Sequence, residues 1–88
     1  MEKIDVHVYG DSYPLRAENR ELTEKAAREV DQVMRLFAEK APNFEPVRLA
    51  VLSAISFAEK RIELEAELAA VHEKINRINV FIGQNLQE

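Results

Sequence analysis

The sequence predicts an α+β fold: an N-terminal β-hairpin, one amphipathic helix, and a long C-terminal helix that forms an intermolecular coiled coil. Three observations predict it. Apolar and polar residues alternate from Lys3 to Tyr9, and apolar residues recur at helical spacing from Leu22 to Ala41. From Leu64 to Ile82 they recur at intervals of 4, 3, 4, 3 and 4, the spacing of a coiled-coil seam.

In the first segment Ile4, Val6 and Val8 fall on one face and Asp5, His7 and Tyr9 on the other, the period of a half-buried strand. Gly10, Asp11 and Ser12 supply a turn signal, after which Tyr13, Leu15 and Ala17 resume the alternation and close a hairpin. Pro14 has no N–H to donate to a ladder, which makes the second strand an edge. Asn19 caps the first helix, Glu21 favours its positive N-terminal dipole, and Leu22, Ala26, Val30, Val33, Met34, Phe37 and Ala41 form one apolar stripe. On the other face Glu21 with Lys25, Glu24 with Arg28, and Asp31 with Arg35 are acid-before-base pairs one turn apart. Each is worth about 0.2–0.5 kcal/mol, and together they read as a solvated face. Pro42 disfavours helical geometry at Ala41 and stops this helix, while Pro46 suits the first position of a new one.

From Val47 to about Leu86 there is no proline and Gly83 is the one glycine, which allows a helix of roughly 40 residues, or about 60 Å. Its first half carries Leu49, Val51, Leu52, Ile55, Phe57, Ala58 and Ile62 on more than one face, so the hairpin, the first helix and a partner are expected to pack it. In the second half Leu64, Val71 and Ile78 take d positions and Leu68, Ile75 and Ile82 take a positions, with Asn85 at the next d. The g positions are Lys60, Glu67, Lys74 and Phe81, and the e positions are Glu65, His72, Asn79 and Leu86. Nothing else in the chain is left to cover this seam, so its six apolar residues are the expected oligomerisation surface. The predicted organisation is a head over residues 1–60, including the start of the long helix, and an oligomerisation helix over residues 61–88.

Composition narrows the functional classes. A chain of 88 residues buries only about 60% of the surface its unfolded form exposes, and a second copy would supply the missing core. With 47% hydrophobic residues, two glycines and three prolines, the sequence is too apolar for a disordered tail. It has no cysteine, hence no disulfide framework or thiolate metal site, and a reducing cytoplasmic setting is expected. No apolar h-region opens the chain and no run of about 18 apolar residues interrupts it, so neither a signal peptide nor a membrane span is expected. The net charge of −4 is spread evenly: four acids face two bases in residues 1–18, six face five in 19–45, and six face five in 46–88. Nucleic acid and anionic membranes need clustered Lys and Arg. A surface assembled from Arg16, Lys25, Arg28 and Arg48 is too well balanced by acids to serve, so neither is expected as a partner.

Catalytic and metal chemistry find no foothold. His7 and His72 lie in different elements without a ligand spacing, and Glu59, Glu63, Glu65 and Glu67 point to different sides of a helix, as solvated charges do. Gly10 and Gly83 make no phosphate loop and no Ser/His/Asp grouping stands out. No enzyme activity, cofactor or metal is expected. The pattern alone supports an oligomer without fixing helix number or direction, and one reading of it is a dimeric coiled-coil adaptor for another cytoplasmic protein.

Three stretches, taken together, resemble the ZapA family of bacterial cell-division proteins. Val6-x-Val8-x-Gly10-x-x-Tyr13-x-Leu15 looks like that family's opening hairpin, and the run from Ala26 to Met34 looks like its first-helix signature. The run from Leu49 to Ser56 is similar to the start of its long helix. The chain departs from the family at Asp11, where a basic residue is common, and at Ser53-Ala54-Ile55-Ser56, where A-A-L-N is common. The resemblance implies a protein that works at the division site (mid-cell) and binds FtsZ, the tubulin-like GTPase of the division ring. It implies head-to-head dimers that join through their coils into a dimer of dimers, bridging FtsZ protofilaments and promoting their bundling and Z-ring assembly. The head residues proposed for FtsZ contact are Arg16, Arg20, Lys25 and Arg48.

Overall fold

The computed structural model describes residues 1–86. It contains two antiparallel strands, β1 (Glu2–Val8) and β2 (Asp11–Ala17), followed by α1 (Arg20–Lys40) and α2 (Pro46–Leu86). The hairpin, single helix and long helix are those the periodicity predicts. By its contacts the chain divides into two compact units, Met1–Ser56 and a second that starts at Phe57.

The hairpin turn is tighter than the turn signal at Gly10, Asp11 and Ser12 predicts. Val8 pairs directly with Asp11, leaving Tyr9 and Gly10 as the two-residue loop, both with positive φ (50° and 84°). This is the primed turn whose twist matches that of the flanking strands. Tyr9 therefore leaves the strand face assigned to it and turns into the loop. From the closing pair the ladder alternates, so Val6–Tyr13, Ile4–Leu15 and Glu2–Ala17 are hydrogen-bonded pairs, while Asp5–Pro14 falls at a non-bonded position. Pro14 thus costs the ladder nothing.

Ile4, Val6 and Ala17 are buried on the inner face of the hairpin, with Leu15 and Ala27 of α1 packed against them. Burying a branched side chain of this size contributes about 1.5–3 kcal/mol. Asn19 caps α1 in extended geometry, its side-chain oxygen accepting from the Leu22 N–H at 3.1 Å. At the other end Ala41 donates to Phe37 O at 2.9 Å and Phe44 N–H to Ala41 O at 3.1 Å, which closes the Pro42 turn.

The apolar stripe of α1 holds from Val30 onward, where Val30, Val33, Met34, Phe37 and Ala41 are buried or half-buried, but in the first turns Leu22 and Ala26 are exposed and Thr23 and Ala27 are half-buried in their place. Val33, Leu36, Phe37 and Lys40 line a cavity of about 260 Å³ with Ser56, so this part of α1 faces the first turns of α2. On α2, Leu49 and Ser53 are buried and Leu52 is half-buried, while Val51, Ile55 and Ile62 are exposed in the single chain. Ser53 satisfies its hydroxyl on its own helix, donating to Leu49 O at 2.8 Å.

Candidate functional site

The six seam residues lie on one uninterrupted helix, and Gly83 does not end it. Leu64, Leu68, Val71, Ile75, Ile78 and Ile82 are all exposed, from 47% at Ile82 to 57% at Ile78. Monomeric soluble proteins rarely leave so continuous an apolar row in water. Off the seam the charged residues pair one turn apart: Arg61 Nε donates to Glu65 Oε1 at 2.9 Å, and Lys60 Nζ lies 3.8 Å from Glu63. Arg77 donates to Glu73 at 2.6 Å. Such exposed pairs contribute little to stability.

The candidate head residues are not equivalent. Arg16 is exposed on β2 and stands directly opposite Lys3. Like charges at facing positions destabilise a hairpin, so this basic pair costs stability. Lys3 escapes sequence reasoning, because only the register shows that it faces Arg16. Arg20 opens α1 and is occupied by two acids, with Nε donating to Glu24 Oε1 at 2.8 Å and Nη1 to Glu2 Oε2 at 3.3 Å. The Glu24 hydrogen bond, followed by the Glu2 charge, raises its pKa. Lys25 is exposed on α1 and, among the described residues, unpaired. Arg48 lies with its guanidinium carbon 4.9 Å from the Phe44 ring centroid, which fixes it beside the interhelix turn.

Asp31 was assigned to a solvated face, and the structure corrects this. Its Oδ1 accepts the Tyr9 N–H at 2.7 Å and its Oδ2 accepts Arg35 Nε at 3.0 Å, while the Arg35 guanidinium carbon stands 5.5 Å from the Tyr9 ring centroid. The Arg35 hydrogen bond first, then the Tyr9 backbone bond, lower the Asp31 pKa. The turn is thereby tied to α1. Of the other predicted pairs, Glu24 turns back to Arg20 instead of forward to Arg28, and no Glu21–Lys25 bridge forms among the described residues.

His7 lines a cavity of about 240 Å³ with Asp5, Val6, Glu24, Ala27 and Arg28. Among the described residues no three His, Cys, Asp or Glu side chains gather as metal ligands, and no helix is long and apolar enough to cross a membrane.

A hairpin-and-helix unit followed by a long helix with an exposed apolar row defines a small α+β protein of two helices and one hairpin. The family model described as "Cell division protein ZapA" matches residues 4–87, and the chain belongs to that family of cell-division proteins. It is 30% identical over 76 residues to a cell division protein ZapA of Geobacillus kaustophilus (strain HTA426), spanning 85% of this chain and 84% of that one. Its fold is similar to that of a ZapA mutant dimer from Geobacillus stearothermophilus, with a TM-score of 0.71 and 30% identity over 85% of this chain and 88% of the other.

Proposed function

We propose that the chain binds FtsZ through its head and self-associates through the α2 seam, so that linked heads bridge neighbouring FtsZ protofilaments at the division site. The observation that carries the reading is the exposed row from Leu64 to Ile82, which none of the described residues covers. The similar structure of a ZapA mutant dimer supports self-association, and family membership supports FtsZ as the partner. The head contacts proposed are Arg16, Arg20, Lys25 and Arg48, with Lys3 added because it faces Arg16. Arg20 is held by Glu2 and Glu24 and must exchange those partners for FtsZ carboxylates, whereas Arg16 and Lys3 gain by meeting them. Coils that join further form a dimer of dimers, and the protein acts in the cytoplasm at mid-cell.

Pelleting with GTP-assembled FtsZ tests the partner, and light scattering with electron microscopy tests bundling. The expected outcome is co-pelleting and thicker filament bundles. A folded, self-associated protein that stays in the supernatant would reject FtsZ as the partner and favour an adaptor for another protein.

A further inference from the structure

We propose that the Tyr9 ring and the Arg35 guanidinium form a docking platform at the hairpin tip for an extended FtsZ segment, which lays an apolar side chain on the ring and a carboxylate against the guanidinium. The proposal rests on the FtsZ reading and adds contact residues and partner chemistry to it.

Tyr9 stands where the local backbone favours it least. A two-residue primed loop needs positive φ at both positions, and Asn-Gly is the pair that meets this need most readily. Here the first position holds a tyrosine at φ 50°, with Gly10 second. A bulky side chain is strained in this region and persists only where its surroundings hold it. Asp31 holds it by accepting the Tyr9 N–H at 2.7 Å, a backbone bond that any residue but proline would make there. The turn therefore needs no ring. A residue that breaks a local rule in this way marks a functional position.

What the ring does is shape a surface. Tyr9, Gly10, Arg35, Ala38 and Glu39 line an open hollow of about 520 Å³. The Arg35 guanidinium carbon stands 5.5 Å from the ring centroid and its Nε donates to Asp31, so both side chains are held in place before any partner arrives. Arg35 is nonetheless 59% exposed, and among the described residues neither of its Nη groups is engaged. That free edge is a fork shaped for a carboxylate. The space beside Gly10 is open, which lets a partner's backbone come close. Glu39 on the same rim repels a polyanion, so the fork suits a protein carboxylate and not a phosphate backbone. Tyr and Arg are enriched among the side chains that carry most of the binding energy at protein interfaces, and holding them in place beforehand strengthens binding.

The test is co-pelleting of the full chain with GTP-assembled FtsZ over a range of concentrations, with urea unfolding alongside, for wild type, Y9N and R35K. Y9N supplies the preferred turn residue, keeps the Asp31 bond and removes the ring. It is expected to be at least as stable as wild type and to bind FtsZ about tenfold more weakly. R35K keeps a charge beside Asp31 but loses the fork, and is expected to weaken binding as well. Wild-type affinity in either variant would overturn the proposal. A Y9N chain clearly less stable than wild type would make the ring a prop for the turn and overturn it likewise. Wild type that is folded and self-associated but fails to pellet would instead reject FtsZ as the partner, and the platform with it.

Discussion

Asp31 joins parts of the chain that lie 22 residues apart, and its two acceptor oxygens serve the hairpin loop and α1 separately. Because its carboxyl is held below the usual range near pH 4, its contribution is fully present above that range and lost as pH falls through the lowered folded value. Thermal unfolding followed by circular dichroism between pH 7 and 3 is expected to show D31N less stable than wild type at pH 7, with a smaller further loss on acidification. Equal pH profiles would remove Asp31 from the hairpin anchor. Gly10→Ala is expected to cost about 1–2 kcal/mol through its positive φ and not through crowding, since no atom lies within 4 Å of the added methyl. Leu49→Ala, at a fully buried position, is expected to cost about 2–5 kcal/mol. Urea unfolding measures both. The Asp31–Arg35 pair and the turn at Gly10 were legible in the sequence, but the tie of Asp31 to the Tyr9 backbone was not. Asp31 and Arg35 present the same spacing whether they only solubilise a helix or also catch a loop, and Tyr9 is not a residue whose type announces positive φ. Leu49 was legible as apolar, but not as the best-covered of its neighbours.

The elements themselves were legible because each is written in a strong period. Alternation from Ile4 to Val8, helical recurrence along α1, and heptads from Leu64 onward each bury or expose a whole face at once. The stripe of α1 was legible from Val30 to Ala41, but not in the first turns, where Leu22 and Ala26 read as part of it and Thr23 and Ala27 take their place against the hairpin. On α2 the period leaves less room, since Leu64 to Ile82 is the one apolar row of the distal half with unbroken heptad spacing. Ile75→Glu puts a carboxylate into the centre of that row. Leaving a charge buried without a partner costs several kcal/mol, far above the return from exposed pairs. The variant is expected to lose mass by light scattering while its helical circular dichroism persists. Wild-type mass and wild-type spectrum together would show that the heptad register is misassigned.

For the molecule as a whole, linkage sets the effect. A second head on the same assembly turns its binding into an intramolecular event, which raises avidity by about 10²–10⁴ where the spacing permits. Truncation after Arg61 removes the seam and keeps the hairpin, α1 and the buried turns of α2. The fragment, checked for folding by circular dichroism, is expected to retain weak association with FtsZ filaments and to lose bundling. Undiminished bundling would assign the distal half of α2 to stability or to another partner. The binding residues were the least legible part, because an arginine that contacts a partner and one that only faces water have the same sequence signature. Assembly at this scale also gives Pro14 a second meaning. Cross-linking would crowd many hairpins into a small volume, where the unpaired backbone of a regular outer strand could recruit the next molecule's strand and grow without limit. At the middle of that outer edge β2 presents a ring nitrogen without hydrogen, so the ladder cannot continue past it. A residue that is thermodynamically silent inside the hairpin thus removes the β2 edge as a template for continued strand pairing.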